Sequence, residues 1–201
     1  MMNLHGLFPT PIGFFNLDRT LTESELAILT SQPQRPNMGN TSSEDRHVLS
    51  QPGLEQFAEF IQSSMNEFFR TVHNPKTDVN LRITQSWTNH TQAGQFHHKH
   101  AHPNSFISGV FYIQTDPTRD RIYFYRDGYQ QLKLRAADFN PYNSESWWFE
   151  AEPGKLIMFP SSLTHMVETL PEGAPTRISL SFNTFLVGDV GDDYELTELI
   201  L

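Results

Sequence analysis

The sequence predicts a mainly β fold, a sandwich or barrel, with N-terminal helices packed on its outside. Three observations carry this. Beyond His73, short runs of β-branched and aromatic residues alternate with turns containing Gly, Pro, Asn and Asp, and no helical spacing recurs. Before His73, Leu54, Phe57, Ala58, Ile61, Met65, Phe68 and Val72 fall at helical intervals and need a flat apolar partner, which a sheet supplies. Composition agrees: with 37% hydrophobic and 12% aromatic side chains, the 201 residues can fill a core, which excludes disorder.

The elements follow in order. Residues 7–16, LFPTPIGFFN, form a proline-broken extended segment suited to a sheet edge. Thr22, followed three residues later by Glu25, makes a capping box and starts a short helix that runs through Leu29. Residues 31–50 are polar and aperiodic and are read as a loop. The amphipathic helix comes next. Strands are then expected at 81–88, 95–102, 106–115, 121–126, 131–135, 147–151, 155–159, 165–170 and 176–187. The simplest organisation is one domain over 1–201, with extended segment and helices in 1–75 and the β core in 76–190. Phe124, Tyr125, Trp147 and Trp148 read as barrel packing, and Asp127 and Asp138 as solvated loop residues.

Several functions are excluded at once. Without cysteine there is no disulfide framework, zinc ribbon, iron–sulfur cluster or thiol nucleophile. A net charge of −9 argues against a nucleic-acid partner. No run approaches the roughly 18 apolar residues of a membrane span, and the opening segment lacks a signal peptide's basic flank and apolar core. A cytoplasmic protein without a membrane partner is expected. The apolar helix face and the broken edge segment leave a homodimer open.

Five of the nine histidines lie between His90 and His102. In a strand over 95–102, alternation gives His98, His100 and His102 one face and His97 the other. Imidazoles two apart on a strand can take adjacent positions around one metal ion, and a shared cation explains a cluster that would repel itself if protonated. Pro103 ends the strand. The pair at an open barrel mouth is then His100 and His102, with His98 deeper or behind them. A third ligand must come from afar, and His165 is the only histidine downstream. Farther on, alternation sets Arg177, Ser179 and Ser181 on one face and Ile178, Leu180 and Phe182 on the other. If the first face is interior, Arg177 is a buried cation that needs an anion; its fork matches a carboxylate, and Ser179 can add a hydrogen bond.

This order, His-x-His, a long gap, His, then Arg-x-Ser, resembles the 2-oxoglutarate- and Fe(II)-dependent oxygenases. The run from His100 to Tyr112, HAHPNSFISGVFY, with Trp87-Thr88-Asn89 upstream, the stretch from Pro153 to His165, and the opening Leu7-Phe8-Pro9-Thr10-Pro11, is similar to a branch of small bacterial and phage oxygenases. The resemblance implies a double-stranded β-helix, a jelly-roll or cupin-like barrel, with helices on one outer face. It implies Fe(II), 2-oxoglutarate as co-substrate, and O2. His100, His102 and His165 would hold the metal, and Arg177, helped by Ser179, the remote carboxylate of 2-oxoglutarate. Three protein ligands leave two positions of an octahedral ion for the co-substrate and one for O2. Tyr112 and Asn89 would line the co-substrate pocket, with His98, Asn104 and Trp87 around it. Oxidative decarboxylation to succinate would be coupled to hydroxylation of a small-molecule or peptidyl substrate, in a host cytoplasm if the chain is phage-encoded.

One departure is plain: the wider superfamily carries Asp or Glu where His102 stands. An all-imidazole site is one unit more positive, with a different redox tuning and metal preference. His98 with His100 is the alternative ligand pair. A cupin-like three-His metalloenzyme that does not use 2-oxoglutarate, and a non-catalytic jelly-roll binding module, are the competing classes.

Overall fold

The computed structural model describes residues 2–126, 128 and 134–201. Its strands, in chain order, are β1 (Gly13–Asn16), β2 (Gln34–Pro36), β3 (Thr41–Ser43), β4 (Val79–Thr91), β5 (His97–His100), β6 (Ile107–Gln114), β7 (Arg121–Tyr125), β8 (Ser146–Glu150), β9 (Lys155–Pro160), β10 (His165–Val167), β11 (Arg177–Val190) and β12 (Leu199–Ile200). The helices are α1 (Glu23–Thr30) and α2 (Glu55–His73), with a single 3-10 turn at Val48–Ser50.

Two antiparallel sheets face each other. The larger runs β1-β9-β6-β11-β4-β3-β2, with β12 beside β11; the smaller runs β5-β10-β7-β8. This is the jelly-roll arrangement expected of the sequence. As expected, β1 is an edge strand, and among the described residues it pairs only with β9.

Alternation gives the large sheet two different faces. On its outer side Ile107, Phe111, Leu156, Met158, Leu180 and Phe182 meet Phe57, Ile61, Met65 and Phe68 of α2. Burying each such side chain contributes about 1.5–3 kcal/mol, which explains why one apolar stripe holds this helix firmly although its opposite face is polar. Gly109 sits opposite Phe182, whose ring fills the space a Cβ would take. On the inner side Val110, Tyr112, Ile157 and Phe159 pack toward Ile122 and Phe124 of the small sheet. The site lies between the sheets, on that inner side.

The local signals behaved as their chemistry requires. Thr22 accepts from the Glu25 N–H at 3.2 Å while the Glu25 carboxylate accepts from the Thr22 N–H at 2.8 Å, closing the capping box. A bidentate Arg19–Glu25 pair reinforces that carboxylate. α2 ends at Asn74, which takes the left-handed conformation.

Three expectations need correction. Residues 31–50 are not a bare loop: β2 and β3 extend the large sheet there. Three-residue strands of Gln, Arg, Pro, Thr and Ser carry no alternation to read, and only their pairing with β4 defines them. Trp147 and Trp148 do not pack in the barrel. They lie on β8, the outer strand of the small sheet, both exposed, with the Arg121 guanidinium 3.9 Å over the Trp148 ring. Tyr125 is half-buried, under Lys99. Phe124 does pack in the barrel, and Asp138 is exposed. Asp127 and residues 131–133 of the expected strand lie outside the described residues, and 134–135 form no strand.

Candidate active site

β5 and β10 pair so that His100 stands directly across from His165. Their ring centroids are 4.4 Å apart, with His102 at 4.8 Å from His100 and 5.1 Å from His165. One donor nitrogen from each of the three lies within 4.8 Å of the others. Two rings are oriented from behind. The His100 Nδ1–H donates to the His98 carbonyl at 2.7 Å, and the His165 Nδ1–H donates to the Leu163 carbonyl at 2.9 Å. Each ring then presents Nε2, the arrangement in which a backbone acceptor fixes tautomer and angle for a metal ligand. His102 follows the end of β5, where its N–H donates to the Ser161 carbonyl at 2.9 Å and its ring lies beside Trp87.

Burial, reinforced by the neighbouring imidazoles, pulls His102 down to about 4 and His165 to about 3, and lowers His100 as well. All three are neutral at pH 7, the form that binds metal.

The face assignment within the cluster differs from simple alternation. A bulge sets four β5 residues, His97 to His100, against three on β10, Val167 to His165. The added residue turns His97 to the inner side with His100 and His102, and His98 away. The His98 Nδ1–H donates to the Met38 carbonyl at 3.3 Å and its ring stacks on His100 at 4.5 Å; toward the three-His group it contributes its backbone oxygen. His97, His98 and His100 form a second group with donor nitrogens within 4.8 Å. That group lacks His165, and the His100 Nδ1 is committed to the His98 carbonyl, so its single remaining nitrogen serves one centre at a time.

Deeper between the sheets, the long pairings of β11 assemble the polar end. Ser179 is flanked by Asn89 of β4 and Tyr112 of β6, Ser181 by Trp87 and Val110, and Arg177 by Thr91. A bulge between Ile178 and Ser179 brings Tyr112 into that row. Asn89 ties the wall together: its amide donates to the Ser181 hydroxyl at 2.9 Å, and its oxygen accepts from the Trp87 indole at 3.2 Å. Arg177, only 7% exposed, contacts the Asp120 carboxylate and the Glu168 carbonyl, each at 3.4 Å. Burial lowers its guanidinium from its ordinary value and Asp120 counters this. The guanidinium stays charged. The Tyr112 hydroxyl is buried with no hydrogen-bond partner among the described residues, and burial raises its phenol, keeping it a donor. The donor set therefore fits a divalent metal with nitrogen ligands at one end and a carboxylate at the other.

One cavity is lined by His97, His100, His102 and His165 together with Trp87, Asn89, Tyr112, Arg177, Ser179 and Ser181. Asn104 is not among its walls: it is exposed, in a turn, with φ of 55°. Sequence patterns alone gave no site role to Thr91, His97 or Asp120, and set Ser181 on the Arg177 face without assigning it one. Thr91 and Ser181 share the alternation of Asn89 and Ser179 and were within reach. His97 was hidden by the bulge, and Asp120 has no pattern, since a turn alone brings it to Arg177.

Residues 85–183 match the family described as "Putative 2OG-Fe(II) oxygenase". No curated protein sequence matches the chain. Among solved structures, it is similar to an oxidoreductase of the 2OG-Fe(II) oxygenase family from Burkholderia pseudomallei, at 16% identity and a TM-score of 0.58, covering 86% of this chain and 84% of that one. HygX from Streptomyces hygroscopicus, with nickel, 2-oxoglutarate and hygromycin B bound, is similar at 11% identity and a TM-score of 0.58, covering 86% and 82%. A prolyl-4-hydroxylase from Pseudomonas putida is similar at 14% identity and a TM-score of 0.50, covering 87% and 92%. At these identities the structures speak for the shared jelly roll, and the family match spans the stretch that carries every cavity residue named above. Residues 85–183 are thus similar to the 2-oxoglutarate- and Fe(II)-dependent oxygenases, and the jelly roll shared with these solved structures extends over most of the chain.

Proposed function

We propose that the protein is a hydroxylase in which His100, His102 and His165 hold Fe(II), and Arg177, Ser179 and Tyr112 hold the remote carboxylate of 2-oxoglutarate. The observation that carries this is the convergence, in one cavity, of three neutral imidazoles at one end and a buried guanidinium at the other. 2-Oxoglutarate, O2 and a substrate C–H enter; succinate, CO2 and the corresponding alcohol leave. Fe(II) held by His100, His102 and His165 would supply activation of O2.

The chain's own groups do the rest. The backbone carbonyls of His98 and Leu163 aim two imidazoles through their Nδ1–H groups. Arg177 offers a fork to the far carboxylate, and Tyr112 offers the hydroxyl that otherwise has no acceptor. Asn89 braces the wall beside Ser179 rather than reaching the co-substrate with both its groups, because its oxygen and one N–H are already engaged. Trp87 closes the side next to His102. The buried surroundings of His165, between Phe159 and Phe124, keep water from the metal side. The substrate is a small molecule or a peptidyl side chain.

Anaerobic addition of Fe(II) and 2-oxoglutarate to the protein tests this. A visible charge-transfer band of the chelate is expected, followed by succinate release on admitting air. Absence of both overturns the reading. Metal binding with no response to 2-oxoglutarate moves the protein to the three-His class that does not use it.

A further inference from the structure

Arg177 does not stand alone. Asp120, just before β7, puts a carboxylate with 2% side-chain exposure against it. One oxygen of that carboxylate, Oδ2, accepts from the Asp116 N–H at 2.8 Å. Asp116 in turn caps its own turn through the Thr118 N–H and hydroxyl, and the Asp120 N–H donates back to the Asp116 carbonyl at 2.7 Å. The Ala151 N–H holds the Asp120 carbonyl at 2.9 Å. The carboxylate is thereby clamped from its own loop and from the end of β8, leaving Oδ1 to face two cations: Arg177 Nη1 at 3.4 Å and Arg119 Nε at 3.5 Å. A buried guanidinium on a long flexible stem needs such a partner, both to offset desolvation and to select one rotamer. Arg119 is itself paired with Asp116 at 3.4 Å, so Arg177 is the cation that Asp120 leaves toward the cavity, where its fork can meet one incoming carboxylate.

We propose that Asp120 is the positioning residue of the anion site, holding the Arg177 fork in the one orientation that receives the remote carboxylate of a 2-oxo diacid. This rests on the co-substrate assignment given above. Asp120 touches neither metal nor co-substrate; it acts through Arg177. Losing it releases Arg177 to other rotamers and weakens binding of a 2-oxo acid that carries a remote carboxylate, while a 2-oxo acid without one is unaffected.

The test is binding of 2-oxoglutarate and of 2-oxobutyrate, which lacks the second carboxylate, to the full chain loaded with Ni(II), followed by calorimetry or melting temperature. Asp120→Ala is expected to weaken 2-oxoglutarate about tenfold, the loss of roughly one charge-assisted hydrogen bond, with 2-oxobutyrate and Ni(II) affinities within about twofold. Asp120→Asn keeps an acceptor oxygen and the side-chain volume, so it folds even where the alanine variant does not; a selective weakening of about threefold is expected. Unchanged 2-oxoglutarate affinity in both variants, or equal weakening of both acids, overturns the inference and makes Asp120 a purely structural residue. Arg177→Ala separates the two levels. If it abolishes the preference for the diacid while the Asp120 variants leave it intact, only the positioning role falls. If Arg177→Ala leaves the preference untouched, the co-substrate assignment falls first.

Discussion

The two faces of β11 show opposite uses of one strand. Leu180 and Phe182 point out to α2 and are buried in its apolar layer, and Ile178 is buried too; Arg177, Ser179 and Ser181, each one residue away, point into the cavity. The outer face contributes stability and carries no chemistry. The inner face accepts a buried cation and an unpartnered phenol beside it, arrangements that cost stability when nothing binds. A sheet can hold such an inner face because the apolar layer on its other side supplies the stability the site gives up.

That contrast can be broken from either side. The largest effect is expected from Phe182→Ala, which empties the outer layer opposite Gly109. Loss of about 3–5 kcal/mol of stability is expected by denaturant unfolding, with 2-oxoglutarate affinity of the folded fraction unchanged. His165→Ala works in reverse. At least a 100-fold loss of metal affinity is expected from equilibrium titration, beyond what is typical of a residue that merely orients a ligand, with a much smaller fall in unfolding free energy.

A titration sharpens the comparison further. His102 and His165 sit at about 4 and about 3, below an unfolded histidine at 6.5. Below pH 6.5 the unfolded chain therefore takes up protons that the fold refuses, so this part of the stability is complete above 6.5 and is lost as pH falls toward 3. The melting temperature of the metal-free protein should drop through that window, and His165→Gln should flatten the drop. A slope unchanged in that variant would place the acid sensitivity elsewhere. The smallest effect is expected from Tyr112→Phe. Removing a buried hydroxyl without a partner should leave the metal-free protein equally stable or up to about 1 kcal/mol more stable, and weaken 2-oxoglutarate by several-fold through loss of one donor. A variant that loses stability and keeps its affinity would show that the hydroxyl serves the fold.

How much was legible beforehand varies by element. The face of α2, the capping box at Thr22 and the two faces of β11 follow from periodicity, which is a property of one segment at a time. The same rule failed at His97 and His98. A bulge is set by the partner strand, and β10 adds its own two-residue step to the three of β5. β2 and β3 were missed because three polar residues have no period, and their pairing with β4 is what makes them strands. Asp120 was invisible because its value lies in a contact 57 residues along the chain, made by a turn.

By itself the sequence determined the β core with its helical cover, the dense imidazole cluster with His165 as its remote partner, and the sidedness of Arg177 and Ser179. These depend on the order of apolar and polar residues, which alternation and helical spacing convert directly into faces. Only the tertiary structure decided which imidazoles share a cavity, that Tyr112 and Asn89 flank Ser179, and that Asp120 clamps Arg177. Those depend on register, bulges and turns, where strands distant in the chain set one another's alignment.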